Sequence, residues 1–146
     1  MVTAVKDSTE LANELRPVLL RLNRELKREI HSLGVTGGQV SLLISIKQTP
    51  GITAKALAAF DRVSAAAMSR SLSRLEEAKL IARTRGDDRR RVGVTLTTEG
   101  EKVLRSVKQR RTAWLAARLK HLDDEARAAI DDALPAFEQL LAASVA

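Results

Sequence analysis

Between Leu80 and Thr97 the chain changes its period. "LIARTR" and "RVGVTLT" alternate every second residue, the spacing of strands with one face on a core, and "GDDR" between them supplies a charged turn. The flanking segments return their apolar residues at intervals of three and four, the spacing of helices. One short ribbon in a helical chain is a severe constraint. A two-stranded hairpin is marginal in water, so helices must cover one of its faces. The expected fold class is mainly α with a small β-ribbon, in a single domain of 146 residues.

The helices follow from their stripes and caps. Leu11, Leu15, Val18, Leu22, Leu26 and Ile30 mark a long helix over about residues 7–33, stopped by Gly34, with Pro17 expected to bend or break it. Thr36 opens a second helix carrying Val40, Leu43 and Ile44 and ending at "TPG". Thr53 caps a third, "AKALAAF", and Ser64 a fourth, "AAAMSRSLSRLEEAK", because short hydroxyl side chains satisfy the free N–H groups of a first turn. Beyond the ribbon, Thr97 or Thr98 opens a long helix with Val103, Val107, Trp114, Leu115, Leu119 and Leu122 as its apolar positions. Asp123 caps the last helix, with Asp124 and Glu125 favourable against its dipole. Ile130, Leu134, Phe137, Leu140 and Leu141 stripe it, and Pro135 predicts a kink.

A helix–turn–helix followed by a ribbon is the winged-helix order. Residues 35–98 can close a core of their own, with a recognition helix over about 64–78 and a wing over about 80–97. Residues 1–33 and 100–146 carry apolar stripes with little else to cover them. They are expected to form a helical dimerisation region in which two copies intertwine, making the chain a homodimer.

Charge points to the partner. The net charge is +7, and residues 62–91 hold nine basic side chains against four acids, so +5 of it lies there. A concentrated basic face is the electrostatic footprint of a nucleic-acid surface. On a helical wheel Met68, Leu72 and Leu75 share the inner side of the fourth helix. Ala66, Arg70, Ser73 and Glu77 lie opposite, with Ser69 at the flank. Small residues let a helix approach base edges, and an arginine one turn on can fork onto a guanine or grip a phosphate. The competing reading is a merely solvated helix. An arginine-rich ribbon immediately downstream argues against it.

Other functions find little support. Cysteine is absent, which excludes disulfides, thiol catalysis and cysteine-ligated zinc together. Asp87 and Asp88 resemble a metal or acid–base pair, but adjacent side chains on a ribbon point apart, and three arginines follow to neutralise them. His31 and His121 sit near the ends of separate helices, and two histidines with scattered carboxylates are a poor basis for a metal site. "GVTGGQ" lacks the lysine and strand of a phosphate loop and reads as a helix-to-helix turn. No enzyme activity, metal or cofactor is expected. No apolar run approaches the roughly 18 residues of a membrane span, and "MVTAVKDSTE" has no secretory core, so a cytoplasmic address without membrane contact is expected.

From about Val35 to Gly100 the chain resembles the MarR (multiple antibiotic resistance regulator) transcription factors. "RLEEAKLIARTRGDDRRRVGVTLTTEG" is similar to the end of that family's recognition helix and its wing. Asp88, Arg90, Leu96, Thr97 and Gly100 fit the spacing D-x-R-x-x-x-x-x-L-T-x-x-G. The resemblance implies a DNA-reading helix holding Ser64, Ala65, Ala66, Ser69, Arg70, Ser73 and Arg74. It also implies a bracing acid at Asp88 and a minor-groove arginine at Arg90; by alternation along the ribbon, Arg89 and Arg91 are expected on the other face, toward phosphates or solvent. Double-stranded DNA is then the partner, a pseudo-palindromic operator the target and repression the expected role. A small aromatic or phenolic effector is implied between the dimerisation helices and the DNA-binding lobe. The alternative is an architectural protein that coats nucleic acid without sequence preference. Two positions depart from the family pattern. Arg62 and Lys79 stand where such proteins commonly have glycine, and a left-handed backbone at either costs about 1 kcal/mol. Arg62 is also a candidate phosphate contact.

Overall fold

Polar residues with short side chains set where the helices begin, and the caps are visible atom by atom. The structure, a computed structural model, describes residues 4–85 and 92–143. Helix α1 (Ser8–Glu29) starts where Asp7 accepts from the Thr9 amide. Helix α2 (Gly37–Gln48) starts with a reciprocal box: Thr36 accepts from the Gln39 amide and the Gln39 side chain accepts from the Thr36 amide. Helix α3 (Ala54–Asp61) is capped by Thr53, α4 (Ala65–Glu77) by Ser64 and α6 (Asp124–Ala142) by Asp123. Helix α5 (Thr98–Lys120) follows Thr97, whose hydroxyl accepts from the Gly100 amide.

Helix α1 ends four residues before the expected stop. Ile30 is fully buried, its amide turns back to the Lys27 carbonyl, and the chain tightens into a 3₁₀ turn (His31–Leu33) before Gly34 takes a left-handed φ of 76°. Neither Pro17 nor Pro135 interrupts its helix. The expected break at Pro17 does not occur. The carbonyl it displaces, on Asn13, lies on an exposed turn where water can satisfy it.

The ribbon is a three-stranded sheet. Strands β2 (Ile81–Arg85) and β3 (Val92–Leu96) pair antiparallel in the expected hairpin, from Ile81 opposite Leu96 to Arg85 opposite Val92. A third strand, β1 (Ile52–Thr53), adds to the other side of β3, giving the order β1-β3-β2. Two residues are too few to show an alternation, so this strand is invisible to a periodicity argument. Its approach dictates the residue opposite: a Cβ on Gly93 would lie 2.2 Å from the Gly51 carbonyl oxygen.

The chain divides into two compact units, Met1–Arg111 and Thr112–Ala146. The first encloses the core. Ile30, Val40, Leu43, Ile46, Leu57, Leu72, Leu75 and Val94 are its largest fully buried side chains. Each such burial contributes about 1.5–3 kcal/mol relative to exposure. No aromatic residue takes part in this core, as the 2% aromatic content leads one to expect. Leu42 and Leu104 are buried although their stripes did not single them out, whereas Ile44 is exposed. In the second unit the Trp114 ring carries the Arg118 guanidinium 3.6 Å from its centroid. Among the described residues no helix is long and apolar enough to cross a membrane.

Candidate nucleic-acid interface

Two turns present α4. The first closes α3: the Arg62 amide bonds the Ala59 carbonyl at 3.3 Å and the Val63 amide bonds Ala58 at 3.0 Å, with Arg62 left-handed at φ 56°. The second closes α4: the Lys79 amide bonds Glu76 at 2.9 Å and the Leu80 amide bonds Leu75 at 3.0 Å, with Lys79 at φ 64°. Both are the paired closures usually made around glycine. The departures at Arg62 and Lys79 left the turn geometry open, and the backbone is left-handed at both, so each carries a basic side chain at a cost of about 1 kcal/mol.

Between these turns α4 has two faces. Met68, Leu72 and Leu75 are 3%, 0% and 0% exposed and fasten the helix to the core. Ala65, Ala66, Ser69, Arg70, Ser73 and Arg74 lie exposed, and Ser64 and Arg62 are exposed just before them. The Ser64 oxygen is occupied by the Ala67 amide at 3.1 Å, so its first duty is the cap. No ion pair among the described residues involves Arg62, Arg70 or Arg74. Arg74 borders a groove of about 200 Å³ with Ser71, Thr36, Gly38, Gln39 and Leu42, on the side of α4 that meets the start of α2.

The ribbon stands directly against the end of this helix. Its last described pair, Arg85 and Val92, brackets residues 86–91. Asp88, Arg89, Arg90 and Arg91 lie outside the described residues, as do Gly86 and Asp87. At the base, the Thr97 hydroxyl donates to the Lys79 carbonyl at 2.6 Å and the Thr97 amide bonds the Leu80 carbonyl at 3.1 Å. A Cβ on Gly100 would fall 2.1 Å from that same Leu80 oxygen. Leu96 packs on the core. The L-T-x-x-G spacing is therefore a weld: one residue to anchor the strand, one to tie it to the turn after α4, and a glycine to let α5 pass.

One contact escaped the sequence reading. Arg83 on β2 donates from Nε to the Glu76 carboxylate at 3.0 Å, tying wing to helix. Seven residues separate them across a change of secondary structure, and no periodicity places them together.

The MarR family profile matches residues 35–92, from the approach to α2 to the start of β3. An uncharacterised HTH-type transcriptional regulator of Mycobacterium bovis is 30% identical over 118 residues, covering 80% of this chain and 82% of its own. The chain belongs to the MarR family. The HTH-type transcriptional repressor MdtR of Bacillus subtilis is 29% identical over 126 residues, covering 86% of this chain and 81% of its own. A MarR family protein of Bacillus stearothermophilus shares the fold, with a TM-score of 0.78 over 96% of this chain and 100% of that one at 22% identity. As a MarR-family protein with a winged helix–turn–helix, the chain is a DNA-binding transcriptional regulator.

Proposed function

We propose that the protein is a homodimeric, non-enzymatic repressor that recognises a pseudo-palindromic operator. The observation that carries this reading is the outer face of α4, where small residues and arginines that make no ion pair among the described residues stand opposite the buried Met68, Leu72 and Leu75. In this reading two α4 helices enter successive major grooves about one helical turn apart. Arg70, with Ala66, Ser69 and Ser73 around it, meets base edges. Arg62 and Arg74, at the start and flank of the helix, grip phosphates, with Ser64 and Ala65 close to the backbone. The wings reach the flanking minor grooves through Arg90, braced by Asp88, with Arg89 and Arg91 toward phosphates.

The functional division assigned here is a DNA-binding lobe over residues 35–98 and a dimerisation region over 1–33 and 100–146. Supporting it, Val18 and Leu22 of α1 and Ile130, Leu134 and Leu140 of α6 are 42–56% exposed within the single chain. Faces of that size are covered in soluble proteins. A small aromatic or phenolic effector bound between the dimerisation helices and the lobe would release the DNA by changing the spacing of the two lobes.

In vitro selection of binding sites tests the reading. The selected sites should contain an inverted repeat bound by a dimer and preferred over bulk DNA by roughly 10³-fold or more at physiological salt. Equal affinity for all sequences would instead mark an architectural protein. Light scattering at low micromolar concentration that returned the 16.0 kDa single chain would remove the dimer.

A further inference from the structure

Among the described residues, the ion pairs other than Glu76–Arg83 lie within one helix at separations of three or four, or tie Lys6 to Glu14 at the chain's start. Glu76–Arg83 alone of them joins two elements, and the two it joins are the recognition helix and the wing. The glutamate stands in the last turn of α4, where the helix dipole disfavours a carboxylate. It also adds negative charge to a lobe built to meet a polyanion. Both effects count against an acid here, and neither is offset by stability, since the two side chains are 46% and 36% exposed and exposed pairs contribute little to folding.

The geometry gives it another task. Backbone bonds hold the base of the ribbon at Leu80 and Thr97, next to the turn after α4. Arg83 lies three residues farther along β2, about 10 Å from that base at the usual strand rise. Strand β1 also holds β3 at Gly93 and Val94, whereas β2 is the outer strand of the sheet and, beyond its base, Arg83 makes its one ion pair to α4 among the described residues. A second tie at that distance sets the ribbon's angle. Opposite Arg83 in the ladder stands Val94, which is fully buried, so the tie is made where the strand itself is anchored.

We propose that Glu76 and Arg83 are positioning residues: their ion pair sets the angle of the wing against α4 so that groove and wing contacts with DNA form together. The inference rests on the operator reading above. Two contacts joined rigidly at the right spacing bind far better than the same contacts joined loosely. The benefit therefore appears only on DNA long enough to meet the wing.

The test uses the full-length protein, a selected operator duplex, and the same duplex trimmed to remove the segments flanking the two half-sites. Glu76→Gln should bind the full operator about three- to tenfold more weakly, the range of coupling between neighbouring contacts, although the change adds positive charge. On the trimmed duplex the same variant should bind as well as the unmodified protein or better, and its thermal midpoint should be unchanged. The charge-swapped double variant E76R/R83E should recover binding to the full operator. Tighter or equal binding of Glu76→Gln to the full operator overturns the proposal, as does a loss of equal size on both duplexes. A loss that the double variant fails to recover overturns it too, because Glu76 would then act without Arg83. If the unmodified protein does not distinguish selected from random DNA, the operator reading fails first, and the positioning role falls with it.

Discussion

Helices α4 and α6 have the same kind of apolar stripe and opposite fates. Met68, Leu72 and Leu75 on α4 are at most 3% exposed, because α2, α3 and the sheet close over them in the same chain. Ile130, Leu134, Phe137 and Leu140 on α6 remain 36–56% exposed, and no residue of that helix is buried. An apolar stripe states that a face will be covered. It does not state by what. The inner face of α4 is covered within the chain, by a core to which Ile30, Leu104 and Val107 also contribute, while the end helices carry surface that a second copy is proposed to take up.

The largest expected difference separates the two helices by stability. Leu72→Ala removes a fully buried side chain from a closed core and should cost about 2–5 kcal/mol whatever the protein concentration. Leu140→Ala opens no cavity within the chain, so its cost should appear only through association and change with concentration. Chemical denaturation of both variants at two protein concentrations checks this. A concentration-independent loss at Leu140 as large as that at Leu72 breaks the comparison.

The weld at the base of the wing comes next. Gly100→Ala places a methyl group 2.1 Å from the Leu80 carbonyl oxygen, and the backbone there must move. A destabilisation of about 1–3 kcal/mol is expected, with faster hydrogen exchange at the Thr97 amide. Unchanged exchange at Thr97 would show that α5 and the ribbon are held apart by something else.

On the outer face of α4 the expected effect falls on binding instead of folding. Arg70→Ala should leave the midpoint of unfolding alone and lose about 1–3 kcal/mol of discrimination between the operator and random DNA. A uniform loss on all sequences with a shallower salt slope would make Arg70 a phosphate contact, leaving Ser69 and Ala66 to read bases.

The smallest effect sets the two strained turns against each other. Arg62→Gly and Lys79→Gly each relieve a left-handed side chain and should stabilise the fold by about 0.5–1 kcal/mol. Only Arg62→Gly should also weaken DNA binding, because Arg62 immediately precedes the face of α4 proposed to meet DNA. Titration calorimetry and thermal unfolding of the pair resolve this. Equal binding by both variants would leave Arg62 as plain strain.

Much of the lobe was legible because its determinants are local. Thr36, Thr53, Ser64 and Asp123 announce helix starts with a hydroxyl or carboxylate within reach of amides three residues on, and each cap is where its residue type put it. Met68, Leu72 and Leu75 declare a buried face by spacing alone. The family pattern marked Arg62 and Lys79 as departures from glycine, but only the structure shows that the backbone is left-handed at both. Errors arose where packing overrode pattern: α1 gave up its last turn so that Ile30 could enter the core, and α2 buried Leu42 while leaving Ile44 outside.

The sequence by itself determined the class of the molecule: helix starts, the ribbon, the inner face of α4 and the basic excess over residues 62–91. These depend on neighbours within about one helical turn or one strand pair, a range over which chain geometry is nearly fixed. The tertiary structure alone decided what depends on chain segments meeting in space. Strand β1 exists because residues 52–53 reach the free edge of β3, and Gly93 and Gly100 are required because other backbones pass within 2.2 Å of where a Cβ would stand. Glu76 meets Arg83 because a helix ends and a strand turns back across it, which puts a carboxylate and a guanidinium 3.0 Å apart that the linear order leaves unrelated.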